Sequence, residues 1–309
     1  MMKVLFAGYG SIARRHIMNL EKICETRNEP LVIDLLRHAP SETPAGIRQV
    51  FTMASDLDDE YDAIFVTNPT SSHYETLLSL IDRSDFFFVE KPVFDSAHVD
   101  IAPFIQEGKF FHVACPLRFS SVIQWIRDNI ACEDVFGIRS ISSSYLPEWR
   151  PGIDYRQTYS ARAELGGGVE IDLIHELDYV CFLLGRPTSV QSFMGKISDL
   201  EIDTNDIALY IFDFSGKTAE VHIDYFGRAP MRRLEVFTTE ETFVCDLITA
   251  QIHALRSGEV IDLGEQRNDF QIKELEYFLD CLESRTMPDN DLEEAVWLLD
   301  LAKTGKMAS

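Results

Sequence analysis

The sequence predicts an N-terminal Rossmann, doubly wound parallel sheet followed by a C-terminal α+β domain with an open, mainly antiparallel sheet. Three observations carry this. The chain has 309 residues, which at ~150 per domain makes two domains. Its first third alternates short, near-continuously apolar runs with helical patterns, as parallel strands covered on both faces require. After about Leu117 strands follow one another across short turns. The expected domains are residues 1–118 and 119–309.

Strands are expected at residues 4–7, 31–36, 49–53, 63–67, 86–89 and 110–115. Between the first two, residues 11–25 set Ile12, Ile17, Leu20, Ile23 and Cys24 on one helical face and Arg14, Arg15, Glu21 and Lys22 on the other. Such alternation implies right-handed crossovers. Beyond the boundary a helix at 120–131 leads to a strand at 137–145, a long irregular segment to Gly168, and a helix at 169–184. An antiparallel meander is then expected at 189–195, 206–214, 218–225, 234–239 and 242–247. Residues 218–225 alternate cleanly, with Ala219, Val221, Ile223 and Tyr225 opposite Glu220, His222 and Asp224. Residues 207–214 are apolar on both faces, so a second copy of the chain or an extra helix is expected over the outer one. Two helices, 272–282 and 292–302, close the chain.

With 51 acids against 28 bases the net charge is −23. Nucleic acid and anionic membrane surfaces would repel such a body, although a local basic pocket for a small anion remains open to it. Cys24, Cys115, Cys132, Cys181, Cys245 and Cys281 show no CxxC and no paired spacing, which argues against a zinc ribbon or disulfide scaffold and for a reducing compartment. The N-terminus runs straight into an apolar strand with no basic leader. No apolar run approaches the ~18 residues that span a bilayer. A soluble, cytoplasmic protein is expected.

Gly8-Tyr9-Gly10-Ser11-Ile12-Ala13 follows the first strand and opens a helix. In that context the first glycine permits the tight turn, the second lets a pyrophosphate approach, and a small third residue lets helix and strand pack. Free N–H groups and the helix dipole then face the phosphates. A dinucleotide is the expected ligand, held by Gly8, Gly10, Ser11, Ile12 and Ala13. A structural glycine turn is the alternative. At the tip of the second strand Arg37 and His38, with Ser41 shortly after, favour the 2′-phosphate of NADP. Asp34 would hold the ribose of NAD if the strand were shifted.

With these residues in view, the chain resembles the Gfo/Idh/MocA oxidoreductases (glucose–fructose oxidoreductase, inositol dehydrogenase and relatives) over essentially its whole length. The resemblance rests on the glycine turn, Thr67-Asn68-Pro69, Glu90-Lys91-Pro92 and the run from Gly166-Gly167-Gly168 through Asp172 and His175 to Asp178. It implies a Rossmann domain joined to an open sheet, hydride transfer on a sugar-like alcohol, and dimers or tetramers formed through the outer sheet face. Cofactor contacts are expected from Thr67, Asn68, Pro69, Glu90 and Lys91, with His73 near the cofactor ribose. Two departures stand out. Asp172 and His175 are three residues apart where the family usually has four. Cys115-Pro116-Leu117-Arg118-Phe119 stands where relatives often carry Asn.

Taking a hydride from a carbinol carbon requires removal of the hydroxyl proton. Lys91, after an apolar strand and before Pro92, is the first candidate, since a desolvated lysine beside a positive ring loses its preference for the charged form. His175 is the second, as general acid/base. Asp172, His175, Glu176 and Tyr179 would form one polar helical stripe opposite Leu173, Leu177, Val180, Cys181 and Leu184, with Asp172 orienting His175 or binding substrate. Lys91 as base with His175 only binding is the other division. A metal is not expected, because a zincin spacing is absent.

Residues 145–162 hold Arg150, Arg156 and Arg162, several aromatics and no lysine. Arginine forks grip carboxylate or phosphate, and aromatic faces pack on sugars and bases. Arg150, Tyr155 and Arg156, with Trp149 and Arg118, are expected to select an anionic or nucleotide-linked sugar. Local ion pairs to Glu148, Asp154 and Glu164 are the alternative. The expected function is an NAD(P)-dependent sugar oxidoreductase. A glycoside hydrolase using NAD transiently and a non-catalytic, cofactor-sensing regulator are the rivals.

Overall fold

The computed structural model describes residues 1–39, 42–57 and 60–307; Ser41 lies outside them. In chain order the first elements are β1 (Met2–Ala7), α1 (Ser11–Arg27), β2 (Leu31–Leu36), β3 (Gln49–Phe51), β4 (Ala63–Val66), α2 (His73–Leu80), β5 (Phe86–Val89) and β6 (Phe110–Val113). There follow α3 (Ser121–Asn129), β7 (Val135–Tyr145), α4 (Val169–Asp172), α5 (His175–Leu184), β8 (Ser189–Gly195), β9 (Ile207–Asp213) and β10 (Thr218–Asp224). The chain ends with β11 (Phe226–Thr238), β12 (Thr242–Asp246), β13 (Gln251–Ala254), β14 (Val260–Asp262), α6 (Asp269–Ser284) and α7 (Leu292–Thr304).

β1 to β6 form one parallel sheet in the order β3-β2-β1-β4-β5-β6. Every residue of β4 and β5 is buried, which is why those runs carry no polar alternation. Aromatic rings stack along the core: Phe6 on Phe65 at 4.5 Å, and Phe86 on Phe110 at 4.4 Å between centroids. The strand order reverses between β1 and β4, and a doubly wound sheet opens its ligand crevice at that switch point.

The structure divides into two compact units, and the division differs from a single break at residue 118. One unit takes residues 1–115 and 271–297; the other takes 116–270 and 298–309. The reason is the apolar stripe of α6. Leu275, Phe278 and Leu279 are buried in the first core, and Phe278 meets Phe65 and Phe88 edge-on at 5.7 and 5.4 Å. Periodicity locates such a helix but not the core it joins.

The second sheet runs β14-β13-β12-β11-β7-β10-β9-β8. It is the mainly antiparallel sheet expected, with one departure from a meander: β7 lies between β11 and β10 and pairs with β10 in parallel. β11 also starts at Phe226, well before the expected residue 234, and β13 and β14 extend the edge. On β9, Ala208, Tyr210 and Phe212 point inward, and Tyr210 Oη donates to the Ala302 carbonyl at 2.7 Å. Ile211 points outward and is 53% exposed, so among the described residues no helix takes the covering role.

Candidate functional site

At the carboxyl ends of β1, β2 and β4 lies a cleft of about 870 Å³. Gly8 to Ile12, Arg37, His38 and Thr67 to Pro69 line it. The glycines have separate physical reasons. Gly8 has φ +104°, and a Cβ there would stand 2.6 Å from the Asn68 backbone nitrogen, so only glycine lets the β1 and β4 turns touch. Gly10 has nothing within 4 Å of its would-be Cβ and keeps the cleft floor open. It caps α1 without a side-chain bond, leaving the first helical N–H groups for a ligand. Ala13 is fully buried beneath the turn. Thr67 Oγ1 donates to the Ala7 carbonyl at 3.1 Å, and Asn68 Nδ2 to Thr76 Oγ1 at 2.7 Å. Asn68 Oδ1, buried, has no hydrogen-bond partner among the described residues. An open glycine floor, bare helical N–H groups and an orphaned acceptor suit a dinucleotide.

At the cleft lip the guanidinium groups of Arg37 and Arg14 stand 5.8 and 5.4 Å from the Tyr9 ring centroid. Arg14 lies on the polar face of α1 together with Arg15. Asp34 is removed from the NAD alternative: it is fully buried in mid-strand, where it accepts from Arg48 and, at 2.8 Å, from Tyr61 Oη.

Beyond β5 the Lys91–Pro92 peptide bond is cis. Lys91 is partly buried. Glu90 turns its carboxylate to His16, with Nε2 at 2.6 Å. Burial alone would raise the Glu90 carboxyl, but the His16 bond and the charges of His16, Lys91 and His73 outweigh it and hold it below its ordinary range. His73 is 1% exposed and braces two turns, with Nδ1 3.0 Å from the Val93 carbonyl and Nε2 3.0 Å from that of Asn68. Burial lowers its pKa, and the two carbonyls only partly offset this. Neither Glu90 nor His73 lines the cleft; both support the turns that do.

In the second unit the expected single helix 169–184 is broken. α4 ends at Asp172, Leu173 leaves helical geometry (φ −104°, ψ 29°), and α5 begins at His175. The polar stripe is accordingly not a solvated face. Glu176 is fully buried and accepts from Arg232 Nε at 2.7 Å. Asp178 takes Arg118 in a bidentate pair at 2.7–3.1 Å, and Tyr179 Oη meets Ser140 Oγ at 2.6 Å. These anchors fix α5 and leave His175, partly buried, at its first turn. Arg118, 5% exposed, is thereby a structural partner of Asp178 and not the substrate ligand expected.

Asp172 is 6% exposed and accepts from two tyrosines, Tyr225 Oη at 2.6 Å and Tyr159 Oη. Burial, then the Asp172 charge, push the Tyr225 phenol well above its ordinary pKa, so it stays a donor. Sequence reasoning missed both tyrosines. Tyr225 does end the buried face of an alternating strand, but Tyr159 sits in irregular chain. The glycine run is what brings it in: a Cβ on Gly167 would lie 2.0 Å from the Tyr159 carbonyl oxygen, and Gly166 and Gly168 have φ of +80° and +142°.

Along 145–162 the local ion pairs prevail. Arg156 Nη2 binds Asp154 at 2.9 Å and Nη1 binds Glu201 at 3.0 Å, while Arg162 reaches Glu164. Arg150 has a looser contact, 5.9 Å from the Tyr159 ring. Trp149 meets Tyr225 edge-on at 5.3 Å and donates to Ser144 Oγ. Tyr155 Oη accepts from the Glu201 backbone. Cys115 is buried, with its N–H given to Glu274 Oε1 at 2.6 Å; His112 Nε2 lies 3.1 Å from the same oxygen. The candidate ligand atoms of these three buried residues lie within 4.8 Å of one another, and Glu274 Oε1 is already engaged by the His112 ring and the Cys115 N–H. They make a hydrogen-bonded node.

The family model for the GFO/IDH/MocA C-terminal domain matches residues 124–244. D-xylose 1-dehydrogenase (NADP(+)) 2 of Haloferax volcanii is 24% identical over 250 residues, covering 77% of this chain and 75% of that protein. Among solved structures, UDP-N-acetylglucosamine 3-dehydrogenase GnnA from Acidithiobacillus ferrooxidans superposes with a TM-score of 0.77 at 20% identity, over 98% of this chain and 96% of that one. Levoglucosan dehydrogenase in complex with NADH gives 0.82 at 14% identity, over 98% and 95%. At such identities the superpositions speak for the fold.

Proposed function

We propose that the chain, whose residues 124–244 match the GFO/IDH/MocA C-terminal domain, is a Gfo/Idh/MocA oxidoreductase: an NAD(P)-dependent dehydrogenase or reductase acting on a hydroxyl or keto carbon of a sugar, of the anionic or nucleotide-linked class. The observation that carries this is the cleft at the β1/β4 switch point, where Gly8 and Asn68 touch and the start of α1 is bare. Gly8, Gly10, Ser11 and Ile12 hold the pyrophosphate, Thr67 to Pro69 the nicotinamide half, and Arg37 with Arg14 the 2′-phosphate. The bound nicotinamide supplies a hydride acceptor or donor. Lys91 is the group proposed to move the alcohol proton, with His175 the other candidate for that role, and Asp172 acts through its tyrosine hydrogen bonds. The sugar substrates named for the similar proteins support the substrate class.

Fluorescence titration tests the cofactor reading. NADPH is expected to bind more tightly than NADH, and Arg37→Ala to remove most of that preference, since charge-assisted bonds to phosphate contribute about 1.5–3 kcal/mol. Tighter NADH binding, or unchanged selectivity in the variant, refutes the assignment. A panel of sugars, uronic acids and nucleotide sugars, followed by reduced-nicotinamide absorbance, identifies the substrate.

A homo-oligomer is part of the same proposal. The outer sheet face sets Ile211 and Phe193, 53% and 52% exposed, beside a Glu220–Arg139–Glu235 ion-pair ladder. Paired across two copies, this face buries an apolar patch that a monomer would expose. Ile211→Glu is expected to shift the mass by light scattering from dimer or tetramer to monomer; an unchanged mass places the contact elsewhere. Six free cysteines and the net charge of −23 support a reducing, cytoplasmic setting and a small-molecule partner rather than nucleic acid or membrane. No helix among the described residues is long and apolar enough to cross a membrane.

A further inference from the structure

Between Phe226 and Met231 the pairing of β11 with β7 slips, so that residues 227–230 bulge out beside Ser144. Bulges re-aim side chains. Here the bulge depends on Gly227, whose Cβ would stand 1.9 Å from Ser143 Oγ, and on Asp224, which accepts from the Phe226 and Gly227 N–H groups at 3.0 and 2.9 Å. What it aims is Arg228. The guanidinium stacks 3.9 Å from the Tyr145 ring centroid on the wall of a cleft of about 350 Å³, which Tyr155, Phe226 and Asp199 also line.

The charge at this place is unusual for the molecule. In a chain with 23 more acids than bases, Arg156 and Arg162 along the neighbouring segment are both taken by carboxylates. Arg228 has no acidic partner among the described residues; its one interaction is with a ring face. Stacking uses the face of a guanidinium and leaves its edge N–H groups directed outward, as a bidentate grip on phosphate requires. Tyr155 and Phe226 supply aromatic walls suited to a flat ring, and the Asp199 carboxylate can accept from sugar hydroxyls. The cleft also adjoins the clamp around Asp172, since Tyr225, one residue before Phe226, donates to that carboxylate.

We propose that the Arg228–Tyr145 cleft is a subsite for the nucleoside-diphosphate end of a nucleotide-linked sugar, with Arg228 on the phosphates and the aromatic walls on the base. This deepens the sugar-oxidoreductase reading and rests on it for the identity of the transformed end.

Calorimetric titration of NADPH-saturated protein with UDP, uridine and inorganic phosphate tests it, saturation keeping UDP out of the cofactor cleft. UDP is expected to bind more tightly than either fragment, and Arg228→Ala to weaken UDP by about tenfold or more without changing NADPH affinity. Arg228→Lys, which keeps the charge but not the planar fork, is expected to fall between. The subsite is overturned if UDP fails to bind protein that takes up NADPH normally, if phosphate alone binds as well as UDP, or if Arg228→Ala binds UDP like the wild type. Arg228-dependent UDP binding by protein that takes up no NADPH would instead uphold the subsite and overturn the cofactor reading.

Discussion

Lys91→Ala is expected to lower turnover by roughly 100- to 10,000-fold, the span of a positioned acid–base group, and to leave NADPH affinity close to that of wild type. The split follows from the structure. Lys91 does not line the dinucleotide cleft, whose floor and walls come from the glycine turn and residues 67–69. It stands one residue beyond Glu90, which His16 fixes at 2.6 Å, and two before Val93, whose carbonyl His73 holds at 3.0 Å. Two buried histidines thus hold the Glu90 side chain on one side of the amine and the Val93 carbonyl on the other, and neighbours held in this way limit the arc its side chain can sweep. Lys91→Arg separates charge from proton transfer. It keeps the cation, but a guanidinium does not deprotonate in this range, so turnover is not restored if Lys91 is the base. Stopped-flow measurement of the reduced cofactor with Kd from fluorescence decides the matter. Wild-type turnover in Lys91→Ala removes Lys91 from the chemistry and leaves the proton to His175, whereas loss of NADPH binding makes it a cofactor residue.

The contrast between these pinned turns and the rest of the site shows what a sequence exposes. The parallel strands were legible because burial on both faces writes itself as unbroken apolar runs such as Phe86 to Val89. The glycine turn was legible because Gly8 answers a local backbone demand. Asp34 and Arg118 were not. Both are charged residues whose roles depend on partners far away in the chain, Arg48 and Tyr61 for one and Asp178 for the other. A charge in a helical or strand pattern looks the same whether it meets solvent, ligand or a buried counter-ion. The stripe from Asp172 to Tyr179 misled for a second reason. Continuous periodicity hid the break at Leu173, which separates Asp172 from the helix that starts at His175. The unmatched bulge at residues 227–230 left no periodic trace at all.

Substitutions in the Asp172 clamp are expected to divide between activity and stability according to exposure. Asp172→Asn keeps the shape but removes the charge that two phenols now serve, and kcat/KM is expected to fall about 100- to 1,000-fold, as when one preorganised electrostatic partner is lost. Tyr159 and Tyr225 hold opposite oxygens of that carboxylate but sit differently: Tyr159 is 36% exposed, Tyr225 fully buried. Tyr159→Phe leaves an Asp172 oxygen that solvent or a sugar hydroxyl can satisfy. Its cost is expected in kcat/KM, about 10- to 100-fold for one charge-assisted bond, with an unchanged melting temperature. Tyr225→Phe leaves the other oxygen unsatisfied where water cannot follow, and is expected to destabilise the fold by about 1–3 kcal/mol, read as a lower denaturant midpoint. Equal effects of the two substitutions on both measurements would mean that the clamp serves packing alone and that Asp172 does not face the substrate through Tyr159. A steeper activity loss for Tyr159→Phe, with stability intact, fixes the reacting side of the carboxylate on the segment that the glycine run holds in place.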